Sequence, residues 1–333
     1  MNSLFKNLII IALLNSLGGY TSQAQKKNSM KDSKSNPLLC DPETGVCEID
    51  TTSTTGDFDY QFQQKKLIKI IYFTDPICSS CWGIEPQLRK LKLEYGKYLE
   101  IEYRMGGLLP DWSYNAGGIS KPSDVAHHWD EVSAHYDMPI DGDVWLENPL
   151  ASSYPPSIAF KAAQLQDEAK AQKFMRRMRE MVFLEKKNIA DWNQIKAAAI
   201  EVGLDTEQLQ QDYAGKATEL FKEDLLLARK MGVRGFPTLL LSNSLNKTQV
   251  IYGFRPYPLF ETTISSLAPA VFKDSYDKSW EALFAKYPTL TAREFTELSG
   301  KSRQESEKLL KQLTQEGKLQ QHTTKNGSIW KVK

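Results

Sequence analysis

The sequence predicts an α/β domain whose sheet is split by a large helical insertion and followed by a small module of helices and a hairpin. Three observations carry that reading. A β-branched and aromatic run, Leu67 to Phe73, leads into Cys78-Ser79-Ser80-Cys81 and then into a helical pattern. From about Ser123 to Lys230 one helical pattern follows another, with no convincing strand between them. Strand character returns at Thr238 to Leu241 and at Gln249 to Tyr252, around a turn region at Asn243 to Asn246.

The order of elements begins before the sheet. In a chain of 333 residues, residues 1–24 read as a secretory signal, with Lys6, the apolar run Leu8 to Leu14 and the small-x-small site Ser22-Gln23-Ala24. That run is too short to span a bilayer. The expected location is therefore exported, periplasmic in a bacterium, with no membrane insertion after cleavage; a start at Met30 would instead leave the chain cytoplasmic. Residues 25–66 form a polar leader whose apolar punctuation surrounds Cys40 and Cys47. A formal charge of +1 argues against a nucleic-acid coat or a polybasic anchor.

Residues 67–270 carry the sheet domain. Leu67 to Phe73 is nearly all apolar, as in a strand buried on both faces. Trp82, Ile84, Leu88, Leu91 and Leu93 make a helical stripe, with Pro86 expected to kink its first turns. Leu99 to Met105 alternates in period two and closes at Gly106-Gly107. The insertion runs over about 120–230, with capping boxes expected at Asp191 with Gln194 and Asp205 with Gln208. Residues 271–333 read as two short helices, Thr291 to Leu298 and Ser302 to Glu316, then a hairpin turning at Asn326-Gly327, which makes a winged-helix-like module.

The chemistry sits in the cysteines. A reactive dithiol needs one stabilised thiolate and a second thiol close enough to resolve a mixed disulfide. A cysteine at a helix N-terminus meets unpaired N–H groups and the positive end of the dipole, and a two-residue spacer puts the second sulfur within one turn. Cys78 is then the attacking thiol and Cys81 the resolving one, shielded by Trp82. Alone, the motif equally fits a structural disulfide, half a zinc site or inert thiols. Strand, motif and helix in that order, together with Gly235-Phe236-Pro237-Thr238 at the start of the returning strand, favour redox chemistry.

The stretch Leu67 to Leu109, above all Thr74-Asp75-Pro76-Ile77-Cys78-Ser79-Ser80-Cys81-Trp82-Gly83-Ile84-Glu85-Pro86, resembles the DsbA-like thioredoxin-fold family. More narrowly, it resembles the branch that holds FrnE-type oxidoreductases and the YjbH (SpxH) adaptors of the ClpXP protease. Asp141 to Trp145, Ala159 to Gln166, Phe183 to Ile189, Gly317-Lys318 and Ile329-Trp330-Lys331 look most like the YjbH side of it. The resemblance implies a thioredoxin-like fold in which Pro237 is a cis proline set against the motif, with Phe236, Ser79, Ser80 and Trp82 meeting a protein substrate. Two departures stand out. The leader has Cys40 and Cys47 but no histidine, unlike that branch's Cys/His-rich N-terminus, and the Ser79-Ser80 spacer lacks an imidazolium, so a less oxidising dithiol than the strongest DsbA proteins is expected.

The reading is therefore a protein thiol–disulfide oxidoreductase acting on protein thiol or disulfide substrates with a redox partner. Its alternative is a cytoplasmic adaptor delivering a regulator to ClpXP. Asp75 is a candidate proton acceptor for Cys81, or equally a helix cap. Cys40 and Cys47 are a second candidate pair, as a loop disulfide, zinc ligands or free thiols. His127, His128 and His135 share one predicted helix and read as surface or cap residues, so no metal and no other cofactor is expected. Thr289 to Lys333 carries nine Lys or Arg against five Glu, and a docking or packing role is preferred to a nucleic-acid partner.

Overall fold

The computed structural model of the chain describes residues 66–113 and 119–333, and residues 46–48 as backbone. The expected signal segment, Cys40 and most of the leader lie outside the described residues. The sheet contains β1 (Val46–Glu48), β2 (Ile68–Thr74), β3 (Leu99–Met105), β4 (Thr238–Asn243) and β5 (Thr248–Tyr252) in the order β1-β5-β4-β2-β3. β2 pairs parallel with β3, and the other pairings are antiparallel. β2 is an interior strand, flanked by β4 and β3, which explains its composition. Ile68, Ile70 and Tyr72 enter the main core, whereas Phe73 joins a second apolar cluster with Ala228, Leu240 and Val250 on the opposite face.

The parallel β2–β3 pair needs a helical crossover. α1 (Ser79–Gly83) and α2 (Glu85–Tyr95) supply it. Here the structure corrects the expected kink: Pro86 stands in the first turn of α2 and a new helix begins, because proline lacks an N–H and tolerates only that turn. After β3 come α3 (Pro122–Tyr136), α4 (Val144–Glu147), α5 (Tyr154–Gln166), α6 (Glu168–Leu184), α7 (Trp192–Glu201), α8 (Thr206–Ala214) and α9 (Lys216–Lys230). Asp191 and Asp205 do cap α7 and α8, accepting from Asn193 N and from Glu207 N and Gln208 N. Only the bond from Gln208 N is the forward half of an expected box; the Asp191 side chain accepts one residue short of Gln194. α10 (Tyr257–Leu267) follows β5.

Residues 279–333 form α11 (Trp280–Lys286), β6 (Thr289–Thr291), α12 (Ala292–Ser299), α13 (Arg303–Gln315), β7 (Leu319–Thr324) and β8 (Gly327–Val332), with strand order β6-β8-β7. This region has its own core of Leu283, Phe284, Leu290, Phe295, Leu298, Leu310 and Trp330, against which Leu93 of α2 also packs. A polar seam completes the docking. Arg89 Nη1 donates to Thr289 O at 2.7 Å, Tyr287 OH donates to Arg89 O at 3.0 Å, and Lys90 pairs with Glu297 at 2.9 Å. Farther along the seam, Arg303 pairs with Asp137 at 2.8 Å and Lys325 with Asp130 at 2.8 Å.

Candidate functional site around Cys78 and Cys81

Cys78 is the N-cap of α1. Its N–H donates to Asp75 O at 3.2 Å, and its sulfur accepts from Cys81 N at 3.1 Å. The two sulfurs are joined in a disulfide, with Cα atoms 5.1 Å apart. A backbone N–H aimed at that sulfur is the kind of donor that favours a thiolate there. Cys78 keeps 3 % of its surface and Cys81 none, so the pair meets solvent only through Cys78.

The walls of the site come from the insertion. Ser80 Oγ and Tyr136 OH of α3 lie 2.7 Å apart, and a Cβ on Gly83 would stand 2.7 Å from the Tyr136 ring, so only glycine admits that ring so close. Tyr136 meets Phe254 in a tilted ring contact, centroids 4.9 Å apart, and Phe254 also meets His135. Trp82 is fully buried, donates from Nε1 to Pro139 O at 3.1 Å, stacks on Phe183, and lies 4.3 Å beneath the Arg176 guanidinium.

The Phe236–Pro237 bond is cis. Because Phe73 pairs with Thr238, Pro237 faces Thr74 at the end of β2 that leads into the cysteines. Pro237 O accepts from Gly253 N at 2.8 Å. The Phe236 ring lies over Gly106 at the end of β3, where a Cβ would fall 2.0 Å from the ring. Ser79, Ser80, Cys81 and Trp82 thus share one short helix with Cys78 at its head, and Pro237 stands at the same end of the sheet.

Asp75 is buried with no exposed surface. Its carboxylate does not cap α1, since Cys78 holds that position. Instead Oδ1 accepts from Ile77 N at 3.0 Å, and Oδ2 accepts from Leu108 N at 2.8 Å and Ser153 Oγ at 2.9 Å. Burial pushes the Asp75 carboxyl up to about 6 against the opposing pull of those three donors and of Arg179. Ser153 and Arg179 went unread in the sequence. Arg179, 1 % exposed, donates to Glu85 Oε1 at 2.5 Å, Thr74 Oγ1 at 2.6 Å and Asp75 O at 3.3 Å. A charge inside the apolar stripe of Phe174, Met175, Met178 and Val182 was the available signal.

The remaining candidates lie elsewhere. His127 pairs on the surface with Glu131 at 3.2 Å, and His135 turns to Tyr136 and Phe254. His128 is exposed on the same helix. Cys47 lies in β1, opposite Val250 of β5. No helix among the described residues is long and apolar enough to cross a membrane.

A cysteine pair at the head of a helix, beside a cis proline on the neighbouring strand of a β2–α–β3 sheet, defines a thioredoxin-fold protein. The chain belongs to the thioredoxin family, whose model matches residues 72–262, and within it to the family of the ClpXP adapter proteins SpxH. It is 33 % identical to the SpxH of Halalkalibacterium halodurans over 303 residues, covering 89 % of this chain and 97 % of that protein. With the SpxH of Bacillus subtilis the identity is 29 % over 272 residues, 80 % of this chain and 90 % of that one. Among solved structures, a putative protein disulfide isomerase from Nitrosomonas europaea superposes with a TM-score of 0.53 at 19 % identity, over 60 % of this chain and 97 % of its own. The cytosolic disulfide reductase DsbM from Pseudomonas aeruginosa gives 0.50 at 21 % identity, over 61 % of this chain and 100 % of its own. The latter two likenesses concern the fold.

Proposed function

We propose that this protein is a protein-binding adaptor of the SpxH type, holding a client on the thioredoxin-fold domain and presenting it to a protease of the ClpXP kind. One observation carries the reading: Glu294 of α12 is buried against Arg176 of α6 and Arg89 of α2, so the C-terminal module is fixed to the sheet domain as a second rigid surface. The SpxH proteins match along nearly their whole length, which supports the same reading. The solved oxidoreductases account for only about 60 % of the chain.

A second reading, thiol–disulfide exchange at Cys78 and Cys81, is favoured by the sulfur that accepts Cys81 N at the head of α1 and by the signal-like leader. One comparison separates the two. The full chain and its Cys78→Ser/Cys81→Ser variant are assayed for stimulating degradation of a bound protein by purified ClpXP and for reducing a protein disulfide. Delivery that survives loss of both sulfurs supports the adaptor; activity confined to the disulfide assay and abolished in the variant refutes it. Fractionation with N-terminal sequencing places the same decision in the cell, because an adaptor must share a compartment with its protease.

A further inference from the structure

The hydroxyl of Ser153 bonds the Asp75 carboxylate and not the helix that Ser153 precedes. Ser153 stands immediately before α5 with no exposed surface, yet its side chain makes no capping bond to that helix. Leu109 N donates to Ser153 Oγ at 3.0 Å, and Ser153 Oγ donates to Asp75 Oδ2 at 2.9 Å. A hydroxyl carries one hydrogen, and the Leu109 amide occupies a lone pair, so that hydrogen points to Asp75. The serine backbone is fixed as well. Ser153 N donates to Leu109 O at 2.8 Å, and Ser153 O accepts from Ser157 Oγ at 2.8 Å.

Asp75 Oδ2 therefore has two donors, whereas Oδ1 has one and keeps a lone pair for a proton. The charged and titratable groups around it are Arg179 of α6, which bonds Asp75 O, Glu85 of α2, which pairs with Arg179, and the phenols Tyr72 of β2 and Tyr154 of α5. Asp75 O also accepts Cys78 N, which ties the Asp75 backbone to the head of α1.

We propose that Ser153 is a positioning residue for the dithiol, its hydroxyl fixing the Asp75 carboxylate that takes the proton of Cys81. The inference rests on the exchange reading. In that chemistry the Cys78 thiolate attacks a protein disulfide, the client S–S bond breaks, one client thiolate leaves, and a mixed disulfide joins Cys78 to the client. Cys81 then gives its proton to Asp75 as its sulfur attacks Cys78 Sγ. The mixed bond breaks, the Cys78–Cys81 bond forms and the second client thiolate leaves, so the client gains two electrons and the dithiol loses them.

The test is two pH profiles of the full chain, one of urea unfolding in the oxidised protein and one of the rate of protein-disulfide reduction, for wild type, Ser153→Ala, Ser153→Thr and Asp75→Asn. The inflection present in wild type and absent from Asp75→Asn belongs to Asp75. Losing a donor to the charged form should move that inflection up by roughly one pH unit in Ser153→Ala, in both profiles, and Thr should restore it. If Ser153→Ala does not fold, Ser153→Gly, which also lacks the hydroxyl, is measured in its place. Coincident profiles for wild type and the hydroxyl-free variant overturn the assignment to Ser153 alone. A wild type that reduces no disulfide, while its stability still carries the Asp75 inflection, overturns the exchange reading and with it the role of Ser153 in it.

Discussion

A carboxylate with no exposed surface ties the stability of this protein to pH. The Asp75 carboxyl is raised by burial from 3.8 to about 6, so the folded state holds the proton more tightly than the unfolded chain. Its full contribution is present below the unfolded value. As pH rises through the folded value, folding must ionise a buried group and that stability is lost. Two pH units correspond to roughly 3 kcal/mol. Between pH 4 and pH 7 the wild type should lose about that much relative to Asp75→Asn in urea unfolding. A difference that stays flat over this range refutes the raised proton affinity. Residues of this kind were only partly legible: Asp75 stood out by its place before Cys78, but Ser153 lies far away in sequence and before a Pro-Pro pair, where a serine suggests no more than a helix start.

At the scale of elements, α12 shows how a helix start can serve a second purpose. Thr291 and Glu294 form a capping box, with Thr291 N donating to Glu294 Oε2 at 2.7 Å and Glu294 N donating to Thr291 Oγ1 at 3.2 Å. The same carboxylate accepts from Arg176 at 2.8 and 3.1 Å and stands 3.3 Å from Arg89. Burial alone would raise the Glu294 carboxyl, but Arg176 and Arg89 outweigh it and hold it below the usual carboxylate range. Glu294→Gln keeps an acceptor for the Thr291 amide and removes the charge, leaving two buried arginines short of a partner. The expected loss is about 3–5 kcal/mol in urea unfolding, against less than about 1 kcal/mol for Glu297→Gln, whose pair with Lys90 is partly exposed. Equal effects at the two positions would refute the buried cluster. β2 to β5, α12 and α13 match the sequence pattern to within a few residues, whereas the helices of the insertion were legible only as one helical run and α10 was not placed. β1, β6 and α11 were not placed either, because three to seven residues are too few to show a period and β1 lies in a polar segment paired with β5.

The whole molecule poses a question that the separate C-terminal core leaves open: whether that module unfolds by itself. Its own cluster around Phe295 and Trp330 would allow that, since separate cores usually give separate transitions. The seam argues otherwise. Opening it would strip Glu294 from Arg176 and Arg89, break the bonds of Thr289 with Arg89 and Glu180, and expose Leu93, so partial unfolding carries much of the penalty of unfolding both parts. Sequence order revealed the sheet domain through the cysteine motif and the returning strand with Pro237. The seam left no such trace, because its partners lie far apart in the chain and neither periodicity nor spacing links them. Native-state hydrogen exchange across a urea series tests the coupling directly. Amides of α2 and α12 should lose protection together in wild type, and Glu294→Gln should let α12 open at lower urea while α2 stays protected. Independent opening of α12 in the wild type would make the module a tethered domain, and the fixed second surface on which the adaptor reading depends would be gone.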